Sequence, residues 1–105
     1  MAWVSLIIAG FLEVVWAFYM KQSEGFTKLG PSLITAVTML TSFALLSWSM
    51  RSLPLGTAYT VWTGIGAVGA FIVGVAVLGE AVNATRLLAA LLLVSGLVLM
   101  KLSEP

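Results

Sequence analysis

The sequence predicts an all-α membrane protein with four transmembrane helices in a single domain, residues 1–105. Hydrophobic residues make up 61% of the chain and charged residues only 9%, a balance that suits neither a water-soluble domain nor a disordered segment. The apolar residues also fall into four long stretches, and about twenty residues span a hydrocarbon core of about 30 Å. The predicted helices cover residues 2–20, 31–50, 54–78 and 84–102.

Each predicted helix is bounded by a short polar or proline-containing segment. The first begins at Ala2, and the next two are expected to start at Pro31 and near Pro54, because proline is favoured in the first helical turn. The apolar part of the fourth helix is short, and the segment 81–84 adds a turn upstream. Because the connections are short, neighbouring helices should pack antiparallel, with both chain ends on one side of the membrane.

Glu13 is the only acidic residue within a predicted span. It lies about 11 residues, or roughly 16 Å, beyond Ala2, which places it near the middle of the bilayer. A carboxylate at that depth costs a few kcal/mol or more to insert, so intramembrane ionisable residues are candidate functional groups. Glu13 is therefore the first candidate for a binding site. The alternative is a structural acid that pairs with a neighbouring group, such as Lys101 of a second chain.

The helical neighbours of Glu13 and polar residues of two other helices complete a predicted cation site. Gly10 and Trp16 lie one turn before and one turn after Glu13. Aromatic faces attract cations and hydroxyl groups orient carboxylates, so Ser42, near the middle of helix 2, is expected to bond to Glu13. The alternatives are interface anchoring for Trp16 and Tyr59, and hydroxyl groups that bond to their own helix. The remaining candidates are Thr35, Thr38, Tyr59, Trp62 and Thr63.

Helix 3 contains the segment Gly64-Ile65-Gly66-Ala67-Val68-Gly69, which matches a dinucleotide-binding fingerprint letter for letter. That fingerprint needs a preceding strand and a βαβ unit, so nucleotide binding is not expected inside a membrane helix. Gly64 and Gly66 are instead predicted to form a conformational hinge, with plain helix packing as the alternative. Helix 4 carries a small, apolar face that predicts a dimer interface, although a lipid-facing helix would look similar. Its residues are Ala89, Leu92, Leu93 and Gly96.

Lysine and arginine are divided almost evenly between the two sides of the predicted bundle. Loops one and three carry Lys21, Lys28 and Arg86, whereas the other side carries Arg51 and Lys101. Because these residues orient membrane proteins, three against two predicts a chain that inserts both ways round. The alternative is a weakly biased protein that another feature orients. Four helices cannot form two inverted halves, so an inverted-repeat transporter would need a second, upside-down copy of this chain.

The residue types that the chain lacks disfavour several classes of function. There is no cysteine or histidine, and the four acidic residues are all glutamates. Thiol and imidazole catalysis and the usual zinc ligand sets therefore have no donors, and neither a metal, a cofactor nor an enzyme activity is predicted. The net charge of +1 is too small to predict nucleic-acid binding.

Four motifs lie between residues 10 and 80 of the chain. They are Gly10-x-x-Glu13-Val14-x-Trp16-Ala17, Lys21-x-Ser23-x-Gly25-Phe26, Leu53-Pro54-x-Gly56-Thr57-Ala58-Tyr59-x-x-Trp62-Thr63-Gly64-Ile65-Gly66-Ala67 and Gly79-Glu80. With these motifs the chain resembles the small multidrug resistance family. Within that family it is more similar to the guanidinium exporters than to the quaternary-ammonium exporters, on the basis of Trp16, Ser42 and Lys101.

The resemblance implies an antiparallel, dual-topology homodimer in the lipid bilayer of the bacterial cytoplasmic (inner) membrane. This dimer would exchange protons for guanidinium or small guanidinyl cations, and Glu13 would bind proton and substrate in turn. Lys101 would be a further candidate for an electrostatic contribution, and helix 4 would be the dimer contact. The side chains around Glu13 would be Trp16, Ser42, Tyr59 and Trp62.

Three other functions stay open at this point. A quaternary-ammonium exporter of the same family would carry larger currents with tetra-alkylammonium ions than with guanidinium. A member of a heteromeric pair would not transport when purified alone. A structural membrane subunit, which belongs to a different functional class, would bind no cation at Glu13.

Overall fold

The computed structural model describes residues 1–103, which form four α-helices and no strand. Each helix has 19 to 22 residues and is apolar enough to cross a membrane. They are α1 (Ala2–Gln22), α2 (Leu29–Ser49), α3 (Leu55–Ala76) and α4 (Ala84–Leu102).

The helix ends differ from the predicted ones by up to two residues, for local reasons. α2 begins at Leu29 rather than at residue 31, because Pro31 lies in the first turn, where its missing N–H group has no helical partner to lose. α3 ends at Ala76 rather than at residue 78. The chain turns at Gly79, whose φ of +70° suits glycine, and the Glu80 N–H group donates to the Gly74 carbonyl at 2.9 Å.

Close packing joins α1 to α3, and glycines make it possible. A Cβ atom at Gly10 of α1 would lie 2.7 Å from Ile65 Cγ2 of α3, and one at Gly69 of α3 would overlap the Val14 side chain of α1. The contact residues follow one another in the same order along both helices, so α1 and α3 run in the same direction. Small residues let membrane helices approach in this way.

Buried hydroxyl groups join α2 to α1. Ser42 Oγ donates to the Ala9 carbonyl at 2.7 Å. Ser49 Oγ shares its proton between the Leu45 carbonyl of its own helix, at 2.9 Å, and the Ala2 carbonyl of α1, at 3.1 Å. Both serines are fully buried, and the bonds leave their polar groups satisfied within the bilayer. The central hydrophobic core lies at the same junction, with Leu6, Ala9, Leu46, Leu53, Ala58, Val61 and Trp62.

α4 lies at the edge of this core, against which its partly buried Leu97 and Met100 pack. None of its described residues is buried, and it packs along α3, with a groove of about 470 Å³ between the two helices. Its end reaches α1 where Lys101 Nζ lies 4.7 Å from the centre of the Trp3 ring. The four helices form a flat slab that measures 44 × 35 × 16 Å, so α4 presents a wide apolar surface away from the chain.

The loop between α1 and α2 is a compact turn. Glu24, Gly25 and Phe26 all have positive φ angles, of 48°, 75° and 66°, and the buried Ser23 hydroxyl accepts from the Phe26 N–H group at 3.0 Å. Lys28 Nζ lies 2.6 Å from Glu24 Oε2. The hydrogen bond and the charge of Lys28 hold the pKa of the exposed Glu24 carboxyl below its usual value.

A candidate cation site around Glu13

The Glu13 carboxyl lies against α3 at Gly66. A Cβ atom at Gly66 would come within 2.8 Å of Glu13 Cγ and would overlap the carboxyl group itself. Gly66 is buried, in an α3 helix that continues from Leu55 to Ala76. Gly66 therefore has a packing role, because its missing side chain leaves room for the Glu13 carboxyl. A role of Gly66 as a hinge stays a prediction.

Two polar atoms at this place have no hydrogen-bond partner within the described residues. They are Glu13 Oε1 and the Trp16 Nε1 donor, which are both buried. A buried polar group without a partner costs about 1 to 3 kcal/mol, and such groups are rare enough in proteins to need an explanation. An acceptor and a donor within one turn of α1 are therefore available to a polar ligand, to water or to a rearranged side chain.

Ser42 is positioned differently from the prediction. Its hydroxyl donates to the Ala9 carbonyl at 2.7 Å rather than to Glu13, and it accepts a hydrogen bond from Trp62 Nε1 at 3.0 Å. In an α-helix the Ala9 carbonyl also accepts the backbone N–H of Glu13. Ser42 and Trp62 are thus connected to Glu13 through the α1 backbone, because the packing register places Ser42 one turn before the acid.

The other hydroxyl groups of the predicted stripe on α2 donate to carbonyl groups of their own helix. Thr35 Oγ1 donates to the Pro31 carbonyl at 2.8 Å, and Thr38 Oγ1 donates to the Ile34 carbonyl at 2.7 Å. Both therefore follow the alternative of bonding within their own helix. Ser42 is the member of the stripe that joins three helices.

Aromatic rings from three helices form a continuous row that begins at Trp16, one turn after Glu13 in α1. Trp16 meets Phe43 with ring centres 6.2 Å apart, Phe43 meets Trp62 at 5.8 Å, and Trp62 meets Tyr59 at 5.7 Å. These separations are typical of aromatic pairs. Phe43 was not among the predicted site residues, and its place directly after Ser42 does not indicate it, because consecutive residues of a helix face different directions.

The remaining candidates lie at other places in the fold. Thr63 and the half-exposed Tyr59 line the groove between α3 and α4, and a Cβ atom at Gly64 would meet Leu97 of α4 at 2.5 Å. Lys101 lies over Trp3, ten residues or about 15 Å before Glu13 along α1. The predicted dimer residues are all exposed on α4, and their contact with a partner stays a prediction. They are Ala89, Leu92, Leu93 and Gly96.

Comparison with known proteins assigns the family. A family model described as Small Multidrug Resistance protein matches residues 1–94. The chain is 57% identical over 103 residues to proteins named guanidinium exporter from Citrobacter freundii and Salmonella typhimurium, and 56% identical to one from Escherichia coli (strain K12). Each of these comparisons covers 98% of this chain and 98% of the relative. This multi-pass membrane protein therefore belongs to the small multidrug resistance family.

Proposed function

We propose that this protein exports guanidinium and small guanidinyl cations in exchange for protons, with Glu13 as the shared binding group. The observation that carries the proposal is the buried Glu13 Oε1, which has no hydrogen-bond partner within the described residues and lies in the middle of a membrane helix. The names of the relatives at 56–57% identity support guanidinium as the cation.

The chemistry of Glu13 allows proton and cation to compete for one position. A carboxylate in low-dielectric surroundings is unfavourable unless a proton or a cation neutralises it. Guanidinium is planar and permanently charged, and its N–H groups pair with the two carboxylate oxygens. The aromatic row that contains Trp16, Phe43 and Trp62 adds attraction for a cation.

Alternating access then requires a second copy of the chain in the opposite orientation. Four helices per chain and a nearly even division of positive residues favour an antiparallel homodimer, in the bacterial cytoplasmic membrane. The exposed α4 surface is available for the contact between copies. If the dimer changes its facing only when Glu13 is protonated or bound to a cation, an inward proton gradient drives export of the cation.

Selectivity follows from hydrogen bonding. Guanidinium offers N–H donors to Glu13, whereas a quaternary ammonium ion offers none. A quaternary ion would leave the buried carboxylate oxygens without partners, at a cost of about 1 to 3 kcal/mol for each. A quaternary-ammonium exporter would instead carry larger currents with tetra-alkylammonium ions than with guanidinium.

Transient currents from purified protein in liposomes on a solid-supported membrane test this function. Wild-type protein should carry guanidinium currents that exceed those with tetraethylammonium, and Glu13→Gln should abolish them. Glu24→Gln is the matched control, because Glu24 is an exposed acid bonded to Lys28, and it should keep the currents. Full activity of Glu13→Gln would refute the assignment of this residue, and larger tetraethylammonium currents would favour the quaternary-ammonium exporter.

A further inference from the structure

Glu80 is an acidic residue that the proposed exchange at Glu13 does not use. It lies in the loop between α3 and α4, and its carboxyl rests on the buried Gly74, where a Cβ atom would come 2.5 Å from Oε1. The Glu80 N–H group donates to the Gly74 carbonyl. The backbone therefore fixes the position of this acid at the end of α3, although its side chain is 46% exposed.

Glu80 lies at the outer end of a cleft between α1 and α3. The cleft has a volume of about 130 Å³ and extends from Glu80 and Lys21 inward to Val14 and Ala70, so it is large enough for water and a small ion. Val14 directly follows Glu13 in α1, and seven residues separate Val14 from Lys21, which corresponds to about 10 Å. The cleft thus extends from the loop end of the bundle to Val14 and Ala70, one turn short of the contact between Gly66 and Glu13.

The chain's own guanidinium group already lies beside this acid. Arg86 Nη2 is 3.9 Å from Glu80 Oε1, and the Arg86 guanidinium carbon lies 5.3 Å from the centre of the Phe71 ring. A carboxylate and an aromatic face are the two groups that recognise guanidinium. Arg86 therefore acts as a tethered example of the ligand that this place can accept.

We infer that Glu80 and Phe71 form an entry site for guanidinium cations, and that an arriving cation displaces Arg86. Glu80 lies at the mouth of the cleft between α1 and α3, whereas Phe71 lies beside Arg86 on the α4 side of α3. This inference rests on the proposed function. The Glu80–Arg86 pair is half-exposed and 3.9 Å long. Because pairs of this kind are weak, replacing the Arg86 guanidinium by a free guanidinium ion needs little free energy. Lys21 lies on the opposite wall of the cleft, and its charge keeps a cation at the Glu80 side.

Two substitutions that remove charges of opposite sign test the inference in the liposome current assay at constant ionic strength. Glu80→Gln removes the acid and should raise the half-saturating guanidinium concentration by about two- to fivefold, the range for exposed ion pairs. Arg86→Gln removes the competitor and should lower that concentration by a similar factor. Lys28→Gln is the matched control, because it removes a positive charge at the same end from a comparable exposed pair, and it should change little.

A purely structural ion pair predicts a different pattern, in which both substitutions impair transport in the same direction. That result would overturn the entry site. A Lys28→Gln variant that lowers the half-saturating guanidinium concentration as much as Arg86→Gln would also overturn it, because it would indicate a general effect of surface charge. Wild-type protein without any guanidinium current would refute the proposed function itself.

Nuclear magnetic resonance measures displacement of Arg86 independently of transport. In a Glu13→Gln background, which disables the central site, guanidinium should shift the Arg86 Nε–Hε resonance, and Glu80→Gln should remove that shift. Arg51 is the internal reference, because its guanidinium carbon lies 4.8 Å from the centre of the Trp48 ring at the other end of the bundle. Equal shifts of Arg51 and Arg86, or no shift of Arg86, would contradict the entry site.

Discussion

Replacing Gly66 by alanine should displace the Glu13 carboxyl and weaken guanidinium binding. The added Cβ atom would come within 2.8 Å of Glu13 Cγ and closer to the carboxyl, whereas carbon atoms in contact lie about 3.5 to 4.0 Å apart. The carboxyl must therefore withdraw by roughly an ångström. Overpacking of this kind costs about 1 to 3 kcal/mol, which corresponds to about 5- to 150-fold in affinity if the bound state bears the whole cost.

The assay combines guanidinium titration by tryptophan fluorescence with thermal unfolding of the purified protein. Gly69→Ala is the closest control, because its Cβ atom would overlap Val14 on the same helix face and should lower stability without a comparable loss of affinity. Gly56→Ala meets nothing within 4 Å and should change neither quantity. Wild-type affinity in Gly66→Ala would refute the packing argument. Equal losses of transport in Gly64→Ala and Gly66→Ala would favour the hinge instead.

Three further predictions concern stability, assembly and orientation. Ser42→Ala leaves the buried Trp62 Nε1 without its acceptor and should destabilise the protein by about 1 to 3 kcal/mol. Thr38→Ala removes a hydroxyl that bonds within its own helix and should lower the stability far less. Equal shifts of the unfolding temperature in the two variants would contradict this. Gly96→Leu adds a side chain where the chain itself has nothing within 4 Å, so loss of the dimer in cross-linking would locate the partner there, and an unchanged dimer would place the interface elsewhere. Reporters fused to the C-terminus should be active on both sides of the membrane, and activity on one side alone would refute dual topology.

The four apolar stretches correctly indicated four helices long enough to cross a bilayer. Glu13 could be singled out because it is the only acid within a predicted span, and its role as a binding group stays a prediction. Trp62 could also be selected, because polar side chains deep in a span need a partner. The structure supplies that partner as Ser42.

The register and rotation of one helix against another could not be read from the sequence. Ser42 was expected to meet Glu13 and instead meets the Ala9 carbonyl, a difference of one helical turn. Phe43 was missed for the same reason, because its position between Trp16 and Trp62 depends on how α2 is rotated. Glu80 was recognised as part of the Gly79-Glu80 motif but not as a candidate site residue, because a loop acid is ordinarily solvated and its contact with Gly74 depends on the three-dimensional fold.

The glycine contacts between α1 and α3 restrict how the protein can move. A slip of α3 by one turn would bring Trp62 or Ala70 to the Glu13 carboxyl in place of Gly66, and either residue carries a Cβ atom where the present fit leaves no space. These steric contacts oppose sliding of α3 along α1. Ser42 also joins this pair to α2, because it donates to the Ala9 carbonyl and accepts from Trp62 Nε1, so α1, α2 and α3 should move together as one unit.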